Sequence, residues 1–256
     1  MSSKRLGIIG GMGPKATAVF FDRIVDCTAA SSDQEHIDAV ILNHTALPDR
    51  TSIILSKQDA RFLDAIANDL RLLEYAGVDN IAIPCNTSHY FYDEMQKLTA
   101  VPIIHMVDET IKVIHSQFGD GTKVGLLATN GTVGSGVYSR SAEASSLRLH
   151  VPNDDIQQKV MDIIYNDVKR DANVDPAKLE AIIEEFIEKE GCSCVILACT
   201  ELSCIKLNDD VKQHTVDAME VLVRRSIELS GKQWISRQAQ APGLADIDRK
   251  MAGVTD

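Results

Sequence analysis

Short apolar runs alternate with stretches of helical periodicity along almost the whole chain, and this alternation restricts the fold more than any other feature. Runs that are apolar at successive positions are typical of strands buried on both faces, as in a parallel sheet covered by helices. The sequence therefore predicts an α/β protein, whose ligand lies beyond the carboxyl ends of the strands. Strands are expected at residues 5–10, 38–43, 80–85, 101–106, 123–129 and 194–199, and helices at 15–30, 60–77, 106–119, 155–170 and 176–191.

A weak internal repeat divides this pattern into two halves. Residues 77–88 (GVDNIAIPCNTS) parallel residues 191–203 (GCSCVILACTELS), and in each segment a glycine precedes a cysteine, Cys85 or Cys199, by eight residues. Upstream, RLGIIGGMGPKAT parallels KVGLLATNGTVGSG. The repeat predicts two similar α/β domains that face each other, and chance similarity between α/β units is the alternative.

Composition and charge exclude several function classes. The 256 residues, 45% of them hydrophobic, are enough for one large domain or two small ones. A formal net charge of −11 argues against nucleic acid as the main partner. No apolar run approaches the roughly 20 residues of a membrane span, and no secretory signal is recognisable, so we expect a cytoplasmic protein without a membrane partner.

The six cysteines raise the question of a metal site, because four of them crowd into residues 192–204. Zinc sites favour cysteine pairs two to four residues apart together with a second, well-separated pair of ligands. Cys192 and Cys194 are instead separated by one residue at the start of a predicted strand, and strand alternation continued back to Cys192 would place both on one face. We predict buried structural thiols there and no metal.

The turn GGMGPKA after the first strand matches a dinucleotide-binding fingerprint. A dinucleotide site also needs an acidic residue at the end of the second strand, where this chain has Asn43 and His44. The missing acid argues against a nicotinamide-dependent oxidoreductase. Exposed N–H groups at a helix N-terminus favour a small-anion or carboxylate cradle, and a purely structural turn is the alternative.

Cys85 and Cys199 both follow predicted strands and precede residues typical of helix N-termini. The helix dipole would favour thiolate there and lower the thiol pKa below its usual value of about 8.5. Two thiols on opposite walls of one cleft can invert a carbon, because one takes a proton from one face while the other gives a proton to the opposite face. A single nucleophilic cysteine would instead need a histidine and a residue that orients it. His89 could tune the Cys85 thiol, and a histidine without a chemical role is the alternative.

The motifs GIIGGMGP, PCNTSH, GLLATNGT and ILACTEL, in this order and spacing, resemble the aspartate/glutamate racemase family over residues 6–231. The resemblance implies a cofactor-independent racemase with Cys85 and Cys199 as the catalytic pair. It also implies that Arg50 meets a substrate carboxylate and that Lys169 lies on the opposite wall. The other site residues that it implies are Met12, Asn86, Thr87, Ser88, Thr129, Thr200 and Glu201.

Two departures from the family pattern qualify this resemblance. The family often has glycine shortly after the lysine, whereas Arg170 and Asp171 follow Lys169 here. Glutamate racemases of cell-wall synthesis typically follow the second cysteine with Thr-His, whereas this chain has Thr200 and Glu201.

The resemblance further implies a homodimer and a last helix that returns to the first domain. The expected domains are therefore 1–104 plus 214–256, and 105–213. Two cations, Arg50 and Lys169, favour a dicarboxylic amino acid, so aspartate or glutamate is the expected substrate. A broad-specificity amino-acid racemase and a non-catalytic protein that binds small carboxylates are the alternatives. Decarboxylases of the same superfamily need only one cysteine, so the pair of cysteines favours racemisation.

Overall fold

Two parallel sheets form the framework of the computed structural model, which describes residues 4–171 and 174–236. In these residues the first sheet has the strand order β2-β1-β3 and the second the order β5-β4-β6-β7. All paired strands run parallel. The strands are β1 (Leu6–Gly10), β2 (Ala39–Asn43), β3 (Asn80–Ala82), β4 (Lys123–Ala128), β5 (Arg148–His150), β6 (Cys194–Ala198) and β7 (Thr215–Asp217).

Helices cover the faces of both sheets, which confirms the predicted α/β class with two similar units. They are α1 (Pro14–Cys27), α2 (Arg50–Ser56), α3 (Asp59–Tyr75), α4 (Tyr92–Lys97), α5 (Met106–Phe118), α6 (Asn130–Ser135), α7 (Val137–Ala144), α8 (Asp154–Asp162), α9 (Pro176–Glu188), α10 (Asp209–Lys212) and α11 (Ala218–Leu229). A 3-10 helix, Asn86–Phe91, follows β3, and a π-helix, Ile163–Asp171, continues α8. None of the described helices is long and apolar enough to cross a membrane.

The glycine-rich turn between β1 and α1 packs tightly against the end of β2. Gly11 has a φ of +89°, and a Cβ there would lie 2.4 Å from the backbone carbonyl carbon of His44. Its N–H donates to the Thr17 hydroxyl, which in turn donates to the carbonyl of Gly13. Thr17 thus satisfies the Gly11 amide, so at Gly11 the turn has a structural purpose rather than an open N–H for an anion.

The C-terminal part of the described chain contributes to both halves. β7 pairs with β6 in the second sheet, whereas the apolar residues of α11 pack with β1 and α1. α11 also contacts α5, which covers the second sheet. The domain boundaries stay a prediction, and residues 237–256 of the first predicted domain lie outside the described residues.

Two predicted elements have a different conformation in the structure. Residues 101–106 do not form a strand beyond a bridge between Ile81 and Ile103, because Pro102 has no N–H to extend a ladder and α5 begins at Met106. The predicted helix at 155–170 changes from α to π geometry after Asp162. The short elements β5, β7, α2, α4, α6, α7 and α10 were not predicted.

Cys192 and Cys194 are buried as predicted, but the prediction that they share one face is wrong. β6 begins at Cys194, and the Cys192 N–H bonds to the Phe186 carbonyl instead of joining the ladder. Strict alternation therefore does not extend back to Cys192. Cys192 packs with Val195 and Leu197 on one side of the sheet, whereas Cys194 packs on the other.

Candidate active site

The two repeated cysteines meet at one cavity beyond the carboxyl ends of the strands. Cys85 follows β3 and precedes the 3-10 helix that starts at Asn86, and Cys199 comes directly after β6. Each is 6% exposed, and both line the same cavity. The internal repeat thus leads to two thiols, one from each half, at a single site.

Almost every predicted site residue lines this cavity. Its volume is about 10 Å³, which is room for about one water molecule. Asp49, Thr51 and Tyr165 also line it and were not predicted. The predicted residues that line it with the two cysteines are Met12, Arg50, Asn86, Thr87, Thr129, Lys169, Thr200 and Glu201.

Ser88 is the exception among the predicted site residues. Its side chain is fully buried, and its hydroxyl donates to the Cys85 carbonyl at 2.7 Å. Ser88 is not among the residues that line the cavity. It stabilises the turn that carries Cys85.

Glu201 lies against the Cys199 thiol. The Sγ atom donates to Oε2 of Glu201 at 3.0 Å, and both side chains are buried. Burial, together with the carboxylate charge, raises the pKa of Cys199 well above its ordinary value, although Lys169 opposes this. The expectation of a lowered pKa is therefore wrong for Cys199, because burial and a neighbouring anion outweigh a helix dipole.

Lys169 is paired rather than free. Its Nζ atom lies 3.6 Å from Oε1 of Glu201 and 4.5 Å from the centre of the Tyr165 ring. Burial alone would lower the pKa of the Lys169 ammonium, but the nearby anionic groups, Glu201 first, raise it above its ordinary value. Lys169 is therefore held as a cation at neutral pH.

Arg50 fixes the loops around it. Its guanidinium group donates to the carbonyls of Leu47, Pro48 and Met12 at 3.3, 2.8 and 3.3 Å, and its Nε atom is buried without a hydrogen-bond partner in the described chain. The two cations predicted to bind substrate thus already have partners within the protein. Asp49 and Glu201 line the same cavity, so the two acidic and two basic side chains cancel in formal charge.

A group of uncharged hydrogen-bonding side chains lies on the wall beside Cys85. The hydroxyls of Thr87, Thr129 and Thr132 form a ring, with oxygen–oxygen distances of 3.0, 2.9 and 3.1 Å. The Nδ2 atom of Asn86 is buried without a partner among the described residues. Thr200 reaches across from the other half and donates to the Pro84 carbonyl at 3.2 Å. This wall can bind a carboxylate group.

A larger pocket of about 290 Å³ adjoins the cavity on the side of the first glycine turn. The residues that line both spaces form the wall between them: Met12, Asp49, Arg50, Lys169 and Glu201. Tyr165 bridges the halves nearby, since its hydroxyl lies 3.3 Å from Oδ2 of Asp49 and 3.4 Å from Oγ1 of Thr51. These five residues thus separate the cavity from the larger pocket.

His89 contacts the backbone of Cys85 and not its thiol. Its ring nitrogens lie 3.0 Å from the Cys85 carbonyl and 3.3 Å from the Ile104 carbonyl. Burial lowers the pKa of His89 to about 4, so the ring is neutral at physiological pH. The geometry favours the alternative in which His89 has no chemical role.

The sequence signal for the three unpredicted lining residues is their proximity to predicted site residues along the chain. Asp49 and Thr51 flank Arg50, and Asp49 caps α2 by accepting from the Ser52 N–H. Tyr165 precedes Lys169 by four residues, which places both side chains on neighbouring parts of a helix surface.

No group of three or more histidine, cysteine or acidic side chains within residues 4–171 and 174–236 has an arrangement that could hold a metal ion.

Comparison with known proteins gives consistent matches over most of the chain. The family described as Asp/Glu/Hydantoin racemase matches residues 9–225. The protein named broad specificity amino-acid racemase RacX, from Bacillus subtilis, is 28% identical over 225 residues, which are 87% of this chain and 96% of that protein.

Two solved structures are also similar. The aspartate racemase of Picrophilus torridus is 31% identical with a TM-score of 0.77, and the match covers 91% of this chain and 96% of that one. An aspartate racemase homologue from Pyrococcus horikoshii is 26% identical with a TM-score of 0.73, covering 89% and 99%. The fold therefore has counterparts in proteins described as racemases.

Proposed function

Because the chain belongs to the Asp/Glu/hydantoin racemase family, whose members are isomerases, we propose that it is a cofactor-independent amino-acid racemase that inverts aspartate or glutamate with Cys85 and Cys199. The observation that carries the proposal is the meeting of these two thiols at one cavity beside a wall of hydrogen-bond donors. A protein that only binds a carboxylate has no need for a thiol on either side.

The uncharged wall binds the α-carboxylate of the substrate. Uncharged hydrogen-bond donors come from Asn86, Thr87 and Thr129. They bind a carboxylate without the free-energy cost of removing a further charged side chain from water. These donors also stabilise the negative charge that moves onto the carboxylate when the α-proton leaves. The α-carbon then lies between the two sulfur atoms.

Inversion needs one thiolate and one thiol. For one enantiomer the Cys85 thiolate takes the α-proton, the C–H electron pair moves towards the carboxylate, and the Cys199 thiol gives its proton to the opposite face. For the other enantiomer the roles are exchanged. The Cys199–Glu201 hydrogen bond supports Cys199 as the group that carries the proton in the ligand-free protein.

Substrate entry requires the cavity to widen, because an amino acid is far larger than one water molecule. The adjoining larger pocket offers a route, and its shared wall contains long side chains that can rotate. The π-helix carries Lys169, and π-helical segments are frequent at functional sites. We expect the π-helix to shift as substrate enters.

Arg50 and Lys169 support an acidic substrate, and a relative named aspartate racemase is 31% identical. The distal carboxylate would replace Glu201 as one partner of Lys169. A broad-specificity racemase is the second candidate. The observation that favours it is the presence of Asp49 and Glu201 in the same cavity, which cancels the charge of the two cations.

Chiral chromatography of single amino acids incubated with the pure protein tests the proposal. Aspartate and glutamate are compared with asparagine and glutamine, which have nearly the same shape but no side-chain charge. Faster turnover of both acids is expected; faster turnover of the amides, or of alanine, would favour broad specificity. If none of these amino acids is converted, the result favours a protein that binds small carboxylates without catalysis.

Cysteine variants test whether racemisation takes place in this cavity. Cys85→Ser and Cys199→Ser should each nearly abolish racemisation, since a serine hydroxyl is a far poorer base near neutral pH. Cys204→Ser is the matched control, because Cys204 lies outside this cavity.

We also propose that the protein is a homodimer and that it is located in the cytoplasm. Light scattering on the purified chain tests the dimer.

A further inference from the structure

A tyrosine from the second half contacts the Asn86 carboxamide. Tyr138 lies in α7, between β4 and β5, and its side chain is fully buried. Its hydroxyl donates to Oδ1 of Asn86 at 2.6 Å, a short distance for a hydrogen bond between uncharged groups. Asn86 is 2% exposed and follows Cys85 in the first half. The hydrogen bond therefore crosses from one half to the other, and Tyr138 itself does not line the cavity.

This contact decides which end of the Asn86 amide is available. A carboxamide has an acceptor end and a donor end, and the two differ by a rotation of the group. A donor that binds Oδ1 leaves Nδ2 as the free end. That Nδ2 atom is buried and has no partner in the described part of the chain. With the opposite rotation, Asn86 would present a carbonyl oxygen, which repels a carboxylate.

The Tyr138 hydroxyl is a dependable donor. Burial raises the pKa of Tyr138 above its ordinary value, so the phenol is protonated and can donate at neutral pH. Its ring packs among apolar residues of the second half, including Val107 and Ile111, which limits its movement. Tyr138 thus combines a fixed position with a fixed protonation state.

We propose that Tyr138 is a positioning residue that holds the Asn86 amide with its N–H groups towards the cavity, where they donate to the substrate carboxylate. This inference rests on the proposed function, because it assigns the ligand of Asn86 as the α-carboxylate. It adds a residue outside the cavity to the determinants of carboxylate affinity. It also couples binding on the Cys85 side to the position of α7.

Tyr138→Phe tests the inference because it removes the hydroxyl and keeps the ring. We expect the KM for aspartate to rise about tenfold, the usual scale for one hydrogen bond, with a smaller change in kcat. The same substitution in an Asn86→Ala background should change KM less than twofold, because the amide on which Tyr138 acts is gone. A packing role would instead lower activity equally in both backgrounds.

The outcomes separate the two proposals. A wild-type protein that neither racemises nor binds an amino acid refutes the proposed function and this inference together. An active wild type with an unchanged KM in Tyr138→Phe, or equal losses in both backgrounds, overturns the inference alone. Circular dichroism checks that each variant is folded.

A second measurement does not depend on the folding of Tyr138→Phe. The side-chain amide signal of Asn86 in a ¹H–¹⁵N spectrum, identified by its loss in Asn86→Ala, should shift when aspartate is added to the wild type. No shift would overturn the inference.

Discussion

Glu201→Gln tests whether the Glu201 carboxylate favours the protonated form of Cys199. The substitution keeps the size of the side chain and removes its charge beside Cys199. At an Sγ–Oε2 distance of 3.0 Å and an effective dielectric constant of about 20, a thiolate and a carboxylate repel by about 5.5 kcal/mol. Lys169, 3.6 Å from the other carboxylate oxygen, offsets part of this repulsion.

Even a quarter of that energy has a measurable effect, because about 1.4 kcal/mol corresponds to a tenfold change in an equilibrium. We therefore expect Cys199 in Glu201→Gln to react with iodoacetamide about tenfold faster or more at a fixed pH near 8. The assay is peptide mass spectrometry of the alkylated protein, with Cys85 as the internal reference. Glu184→Gln is the control, because Glu184 is exposed on α9.

The pH dependence of racemisation gives a second readout with a defined sign. In the proposed mechanism activity needs Cys199 as a thiol for one of the two enantiomers, and it should be lost at high pH when that thiol is deprotonated. Since the pKa of Cys199 is raised in the wild type, removing the anion should move the alkaline limb of kcat/KM to lower pH. An unchanged or slower alkylation of Cys199, or a limb that moves to higher pH, would refute the reasoning.

Three further predictions concern substrate choice, cofactor dependence and stability. Lys169→Met should lower the preference for aspartate over asparagine by about tenfold or more, since it removes a partly desolvated cation; an unchanged ratio of kcat/KM values would argue against Lys169 as the side-chain anchor. Activity should survive dialysis against a chelator and hydroxylamine, and loss that pyridoxal phosphate restores would contradict the cofactor-free proposal. Gly11→Ala should destabilise the protein by about 2 kcal/mol or more, because of the positive φ and the 2.4 Å approach to His44. In thermal melts Gly134→Ala is its control, since nothing lies within 4 Å of a Cβ built at Gly134 in α6. An unchanged melting temperature for Gly11→Ala would contradict the role of the turn.

The sequence predicts the sheets and the cysteine pair because these features depend on local patterns. Apolar runs of strand length identify β1, β4 and β6, and the repeat places Cys85 and Cys199 at equivalent positions. Once the strands are parallel, their carboxyl ends share an edge, and residues that follow them come together.

The electrostatics of the site could not be predicted in the same way. Lys169 and Arg50 have the pattern of substrate anchors, yet Glu201 pairs with one and backbone carbonyls with the other. Such partners come from distant segments and depend on side-chain packing. The same is true of the Cys199 pKa, because the effect of burial follows from tertiary structure, whereas a helix dipole can be anticipated from the local sequence.

Short elements were missed for a related reason. β5 and β7 have only three residues each, and their neighbours rather than their own composition decide their conformation. The change from α8 to π geometry occurs within one continuous amphipathic stretch, whose periodicity does not indicate where an extra residue enters a turn. Tyr165 and Lys169 lie within that π segment.

The central claim is that two thiols act on opposite faces of the α-carbon, and isotope incorporation from deuterated water tests it most directly. L-aspartate is incubated with the wild-type protein in deuterated water, and both enantiomers are separated and analysed by mass spectrometry at low conversion. Because Cys85 and Cys199 exchange their protons with solvent before substrate binds, the D-aspartate formed should carry deuterium at the α-carbon, while the remaining L-aspartate keeps its proton. A D-product that retains the original proton would show that a single base carries it from one face to the other, and it would contradict the two-thiol account.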